Sequence, residues 1–262
     1  MKLKELFSLT GKVALVTGGG RGLGKWMATG LAEAGADIII TSRKVKNLEA
    51  TAAELKQEYG VKVLPFPCDV SKEEDIDELL KAVKEQFSRI DILINNAGVT
   101  WGAPTLEFPL ARWDHVFNVN VRGVWILTQR VANIMKEQGG GNIINLTSIM
   151  GYRGAEEELF PAVAYNTTKA AIRVLTMNLA VQLAPHNIRV NGIAPGFYRT
   201  DMSLFFEKPE FKESYDKLMD KIPMRRMGDI DDIKGVAVFL ASDASAYMNG
   251  HILVTDGGFL AK

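Results

Sequence analysis

Seven short, mostly apolar runs punctuate the chain, at Val13–Thr17, Asp37–Thr41, Lys62–Pro67, Asp91–Asn95, Asn142–Thr147, Ile188–Ala194 and Ile252–Thr255. Between them the apolar residues recur at helical spacing, as Leu23, Met27 and Leu31 do after the first run. Strand-type runs alternating with helical patterns predict right-handed βαβ units, and seven of them predict an α/β fold with a doubly wound parallel sheet. Sheets of this kind bind ligands at the carboxyl ends of their strands, so those ends are the places to look for chemistry.

The first strand end carries Thr17-Gly18-Gly19-Gly20-Arg21-Gly22-Leu23-Gly24, with a strand before it and a helical pattern after it. Glycines permit positive φ and let backbone N–H groups approach a pyrophosphate, while the following helix presents its positive end to the same anion. The spacing is G-x-x-x-G-x-G, unlike the more familiar G-x-G-x-x-G, and a turn of this kind can also serve tight packing alone. In this setting it predicts nucleotide binding, with Gly18, Arg21, Gly22, Leu23 and Gly24 at the phosphates.

The second strand ends in Ser42-Arg43-Lys44, where a carboxylate would grip an adenosine ribose. A hydroxyl, a guanidinium fork and an ammonium suit a 2′-phosphate instead, so NADP(H) is favoured over NAD(H). The plainer alternative is a solvated basic loop.

Tyr165 and Lys169 stand four apart, which places a phenol and an ammonium on one helix face. A cation held near a tyrosine, whose ordinary pKa is roughly 10, lowers that value by about 1–3 units and makes a proton donor tuned toward neutrality. Alone the spacing also fits a core-edge tyrosine beside a solvated lysine.

Together with the glycine turn and the Tyr165/Lys169 pair, four further segments give the chain its resemblance to the short-chain dehydrogenase/reductase family, from about Lys12 to Gly258. They are Cys68-Asp69-Val70, Asn95-Asn96-Ala97-Gly98, Asn118-Val119-Asn120-Val121 and Pro195-Gly196-Phe197-Tyr198-Arg199-Thr200, joined by Ser148 at the end of strand five. The resemblance implies a single-domain Rossmann-type fold over residues 1–262. It places Asp69 and Val70 at the adenine, Asn96, Ala97 and Gly98 beside the adenosine ribose, and Pro195, Gly196 and Thr200 at the nicotinamide carboxamide. It also implies a tetrad. Tyr165 exchanges a proton with the substrate oxygen, Ser148 hydrogen-bonds that oxygen, Lys169 holds the nicotinamide ribose and keeps the tyrosine pKa low, and Asn120 supports a water that replenishes the proton.

The resemblance further implies a ketone or secondary alcohol substrate under a lid at about 200–224, whose Met202, Leu204, Phe205, Phe206, Phe211, Tyr215, Leu218 and Met219 are apolar. Phe197 joins the substrate contacts, and Trp101 is expected to wall the cleft. The Thr100-Trp101-Gly102-Ala103 run resembles NADPH-dependent 3-oxoacyl reductases, while His186–Thr200 and Ile222–Gly258 also resemble gluconate 5-dehydrogenases. The expected activity is therefore carbonyl or 3-oxoacyl reduction, with a gluconate 5-dehydrogenase-like sugar-acid oxidoreductase as the alternative. A catalytically idle dinucleotide-binding sensor is a remoter one, at odds with an intact tetrad. A homotetramer is implied, with helices at Arg112–Gln138 and Phe160–Ala184 pairing between subunits. One departure stands out: sixteen residues separate Ser148 from Tyr165, longer than the family's usual spacing, and Gly154–Leu159 holds three acids expected to form a surface bulge, the alternative being a fold over the site that brings Arg153 or the glutamates to the substrate.

Composition fits one soluble domain. Apolar residues make up 47% and charged residues 24%, as a globular core with a solvated surface requires. Basic and acidic side chains balance at 31 each, which removes any field for nucleic acid or anionic membrane. The opening residues lack the apolar core of a signal peptide and no stretch is long enough to span a bilayer, so a cytoplasmic enzyme is expected. The single Cys68 reads as packing, and His115, His186 and His251 are scattered, so no metal site is expected.

Overall fold

The computed structural model describes residues 1–158, 160–200 and 212–262. A short helix α1 (Leu3–Leu6) precedes β1 (Val13–Thr17), and the chain then alternates through α2 (Gly22–Glu33), β2 (Asp37–Ser42), α3 (Val45–Tyr59), β3 (Val63–Pro67), α4 (Glu73–Gln86) and β4 (Ile92–Asn95). The second half runs α5 (Leu110–Phe117), α6 (Val124–Glu137), β5 (Gly141–Leu146), α7 (Val163–Leu183), β6 (Ile188–Pro195), α8 (Lys212–Lys221), α9 (Ile230–Ala241) and β7 (Ile252–Thr255). The seven strands form one sheet in the order β3-β2-β1-β4-β5-β6-β7, and every pairing is parallel. All seven expected runs are strands, with ends shifted by a residue or so.

The inner strands are apolar on both sides because helices cover both faces. In β1, Ala14 and Val16 join one layer with Met27 and Leu31 of α2 and Ile233 and Leu240 of α9. Val13 and Leu15 point the other way, into a layer with Leu79 and Val83 of α4, Leu127 and Val131 of α6 and Leu179 of α7. The alternation is the period of two that a pleated strand imposes. The edge strand β7 is only partly covered.

Three buried polar bonds brace the sheet behind its carboxyl ends. Asn95 Nδ2 on β4 donates to Asn145 Oδ1 on β5 and to Thr128 Oγ1 on α6, both at 2.9 Å, and Asn145 Nδ2 donates to Thr176 Oγ1 on α7 at 3.0 Å. A satisfied buried network of this kind fixes two strands and two helices in one register.

Two expectations need correction. The span expected as one helix from Arg112 to Gln138 is α5 and α6 joined through a π-helical turn at Asn118–Gly123. Such a turn widens the helix by one residue and re-aims the side chains on it. Ser148 does not end strand five, which stops at Leu146; it caps the 3-10 turn Ile149–Gly151, its Oγ accepting from Met150 N at 3.1 Å. Of the lid expected at 200–224, residues 201–211, with Met202, Leu204, Phe205, Phe206 and Phe211, lie outside the described residues, while α8 carries Tyr215, Leu218 and Met219.

Candidate active site

A cleft of about 840 Å³ runs along the carboxyl ends of the strands, and it gathers most of the residues expected from sequence. Its lining includes Gly18, Arg21, Gly22, Leu23 and Gly24, then Ser42, Arg43, Lys44, Asp69 and Val70, then Asn96, Ala97 and Gly98. Farther along it is lined by Ser148, Tyr165, Lys169, Pro195, Gly196, Phe197 and Thr200.

At one end the glycine turn leaves β1 and enters α2. Gly18 sits at φ +68° and Gly22 at φ +54°, a region open to glycine and strained for other residues. A Cβ on Gly24 would collide with the Gly18 carbonyl oxygen and with Asn96 Nδ2. The turn is laced to its neighbours. Gly18 N donates to Thr41 O at 2.6 Å, Asn96 Nδ2 donates to Thr17 O at 2.8 Å, and Thr17 Oγ1 accepts from Asn96 N at 3.0 Å and Ala97 N at 2.9 Å. Arg21 caps α2 without a side-chain hydrogen bond, which leaves the first turn's N–H groups toward the cleft. These are the parts of a phosphate cradle.

Beyond the turn, Ser42 Oγ accepts from Lys44 N at 3.3 Å, and the exposed Arg43 shares the cleft edge with Asp69. Burial opposes ionisation of Asp69, but hydrogen bonds from Ser71, followed by the charges of Arg43 and Lys72, outweigh it and hold the carboxyl below its ordinary value. A carboxylate accepting from Ser71 N at 3.1 Å and Ser71 Oγ at 2.7 Å stays ionised and fixed. Cys68 also borders the cleft, but burial pushes its thiol up to about 12, so it carries no reactive thiolate.

At the other end, burial raises the Tyr165 phenol above its ordinary value, and a hydrogen bond with Ser148 works against that rise. Lys169, 5% exposed, is pulled by burial from 10.5 to about 8. Its Nζ donates to Leu146 O at 2.7 Å and lies 5.6 Å from the centre of the Tyr165 ring. The expectation that Lys169 lowers the tyrosine pKa is thus corrected for this arrangement, because the ammonium is turned to a strand carbonyl and desolvation dominates both groups.

Asn120 is 1% exposed, and its carboxamide is engaged within the protein. Oδ1 accepts from Val99 N at 2.8 Å, while Nδ2 donates to Val99 O at 2.9 Å and Thr168 Oγ1 at 3.1 Å. It does not line the cleft, and its side chain fastens the turn after β4 to α7. The π-helical turn places it there.

Trp101 does not line the cleft either. Its indole is 39% exposed and lies under the Arg112 guanidinium, 3.9 Å from the ring centre. The segment before Tyr165, expected as a surface bulge, instead borders the cleft through Arg153, Gly154, Ala155, Glu156 and Glu158. Sequence reasoning also passed over Thr17, Phe160 and Phe259. Thr17 precedes the glycine turn and was legible as a strand end, whereas Phe259 reaches the cleft only through the fold, packing edge-on against Phe197 with ring centres 5.5 Å apart. Among the described residues no group of three His, Cys, Asp or Glu side chains could hold a metal, and no helix is long and apolar enough to cross a membrane.

The family model described as enoyl-(acyl carrier protein) reductase matches residues 18–260. The 2-dehydro-3-deoxy-D-gluconate 5-dehydrogenase of Bacillus subtilis is 42% identical over 260 residues, 99% of each chain. The 3-oxoacyl-acyl-carrier-protein reductase FabG of Aquifex aeolicus is 37% identical over 250 residues, 95% of this chain and 98% of its own. Among solved structures, a gluconate 5-dehydrogenase from Burkholderia cenocepacia in complex with NADP and tartrate superposes with a TM-score of 0.91 at 34% identity, covering 100% of both chains. The chain belongs to the short-chain dehydrogenase/reductase family and is an oxidoreductase acting on CH–OH groups.

Proposed function

We propose that the protein is an NADP(H)-dependent carbonyl reductase that interconverts a ketone and a secondary alcohol, acting as a single catalytic domain over residues 1–262. The observation that carries this reading is the meeting of Ser148, Tyr165 and Lys169 at one end of a cleft whose other end is a phosphate cradle. Gly18 and Gly22, at positive φ, turn the backbone of that cradle ahead of the α2 N-terminus, which fits a dinucleotide pyrophosphate. Gly18, Arg21, Gly22, Leu23 and Gly24 would hold the phosphates, Asp69, Val70 and the Asn96–Gly98 turn the adenosine, and Pro195, Gly196 and Thr200 the nicotinamide. The bound cofactor supplies or accepts the hydride.

Ser42, Arg43 and Lys44 support NADP(H) over NAD(H), since a guanidinium fork matches a 2′-phosphate. Solved relatives bound to NADP favour the same choice.

The residues of this chain supply positioning and a proton. Ser148 would hold the substrate oxygen by hydrogen bond, and Tyr165 would donate its phenolic proton to that oxygen in reduction or take it back in oxidation. A phenol raised by burial keeps its proton at neutral pH, which suits the acid role in reduction. Lys169, whose ammonium borders the cleft one helical turn from Tyr165, would hold the nicotinamide ribose. Asn120 would act by holding the Val99 backbone, with the replenishing water as its remaining role.

Two substrate classes have support. The apolar floor of Ile149, Met150, Phe160, Phe197, Leu218 and Phe259 favours the acyl chain of a 3-oxoacyl substrate. The cationic residues at the mouth, and relatives named for gluconate derivatives, favour a sugar acid. A cytoplasmic homotetramer, with no nucleic-acid or membrane partner, completes the proposal. Following NADPH oxidation while ketones are added tests it: consumption that depends on the ketone is expected, and none with any ketone contradicts it.

A further inference from the structure

We propose that Arg153 is the specificity-determining anchor for a substrate carboxylate, so that the preferred substrate is a small keto or hydroxy acid. The inference rests on ketone–alcohol interconversion at Ser148 and Tyr165 and names the substrate class of that site.

Arg153 lies five residues beyond Ser148, separated from it by the 3-10 turn Ile149–Gly151, and borders the same cleft. Its guanidinium sits over the face of Phe259, 5.3 Å from the ring centre, and Nε donates to Gly154 O at 3.3 Å. Stacking on an aromatic face orients a guanidinium while leaving its remaining N–H groups free to pair with an anion. Beneath it Phe259 packs on Phe197, and both belong to the apolar cluster that includes Tyr165 and Phe160. An apolar floor strengthens a charge–charge contact made above it.

Both lysines at this end of the cleft mouth are paired with acids. Lys221 pairs with Glu156 at 3.3 Å, and Lys217 pairs with Glu213 at 2.7 Å and feels Glu158. Glu157 turns outward, its carboxylate accepting from Thr105 N at 2.6 Å. Glu156 and Glu157 thus have partners of their own, while Arg153 has no carboxylate partner among the described residues. Arg21, Arg43 and Lys44 stand at the opposite, phosphate-binding end of the cleft. A ketone held by Ser148 and Tyr165 with an acid group on the same molecule would place that group at Arg153, and the guanidinium fork is the partner carboxylate geometry prefers.

The test measures NADPH-dependent reduction of 5-keto-D-gluconate and of a panel of shorter keto acids, each beside its uncharged amide, by wild type, Arg153→Ala, Arg153→Lys and Arg112→Ala. The expected result is that Arg153→Ala raises KM for the acids roughly ten- to hundredfold, as loss of a charge-assisted pair implies, with kcat held and the amides unaffected. Arg153→Lys restores part of the loss, and Arg112→Ala, whose guanidinium lies on Trp101 outside the cleft, changes nothing. An equal effect on acids and amides, no effect on either, or weakened NADPH binding overturns the anchor. A wild type that reduces the amides but not the acids also overturns it while leaving ketone reduction standing. Reduction of neither contradicts the proposed function and removes the anchor with it.

Discussion

Lys169 gives its ammonium to the carbonyl oxygen of Leu146 at 2.7 Å, while Tyr165, one helical turn earlier, is hydrogen-bonded with Ser148. The two groups share a helix face but not a hydrogen bond. Each therefore carries its own desolvation cost, and that cost has measurable consequences.

Burial lowers the Lys169 pKa from 10.5 to about 8. Between those values the unfolded chain keeps a proton that the native lysine has lost, so stability rises with pH there, and below pH 8 the full penalty applies. Replacing Lys169 by methionine removes a penalty of about 3 kcal/mol, less about 1 kcal/mol for the Leu146 carbonyl left without a donor. Denaturant unfolding of the cofactor-free protein should find Lys169→Met more stable than wild type at pH 7, with the advantage shrinking as pH approaches 10. An advantage that grows with pH would contradict the assignment of burial as the cause.

Gly24 permits the contact between the two turns of the cofactor end, where a Cβ would meet the Gly18 carbonyl and Asn96 Nδ2. Gly24→Ala should cost about 1–3 kcal/mol through the forced shift and weaken NADPH binding with it. Calorimetric titration of NADPH alongside thermal unfolding checks both. Unchanged affinity would show that the turn is packing alone.

Arg43 is the selective test of the 2′-phosphate. Arg43→Ala should weaken NADPH roughly ten- to hundredfold and leave NADH binding unchanged, since only NADPH carries that group. Equal losses for both cofactors, or a wild type that prefers NADH, would move Arg43 to the solvated-loop reading.

Asn120 sits with its carboxamide fully engaged, holding Val99 N–H at 2.8 Å. Asn120→Ala should destabilise by about 1–3 kcal/mol by orphaning backbone groups of Val99, beside any effect on proton delivery. If unfolding shows no loss of stability while turnover falls, its role lies in the proton path instead.

Much of this architecture was legible in the sequence because strand and helix periods are local. Runs such as Asp37–Thr41 are too short and too branched for helices, and Gly18–Gly24 stands where a strand must turn. Side-chain direction was not legible in the same way. Tyr165 and Lys169 share a face by spacing, yet whether the ammonium meets the phenol or the Leu146 carbonyl depends on where β5 ends. Trp101 follows the cofactor turn directly, but Arg112 on α5 stacks on it from outside the cleft, a contact between segments that no local pattern encodes. Arg153 precedes a run of acids that reads as a surface bulge, and no local pattern decides between that and a fold over the site. Lys221 and Thr105 come from distant segments to hold Glu156 and Glu157, and the fold alone brings them there.

Tyr165 is proposed to move the proton in a ketone–alcohol interconversion. Tyr165→Phe keeps the ring and removes only the hydroxyl, so NADPH affinity, measured by titration, should stay within about twofold while turnover of a reducible ketone falls by about 10²–10⁴. Turnover near the wild-type value with cofactor bound would contradict it.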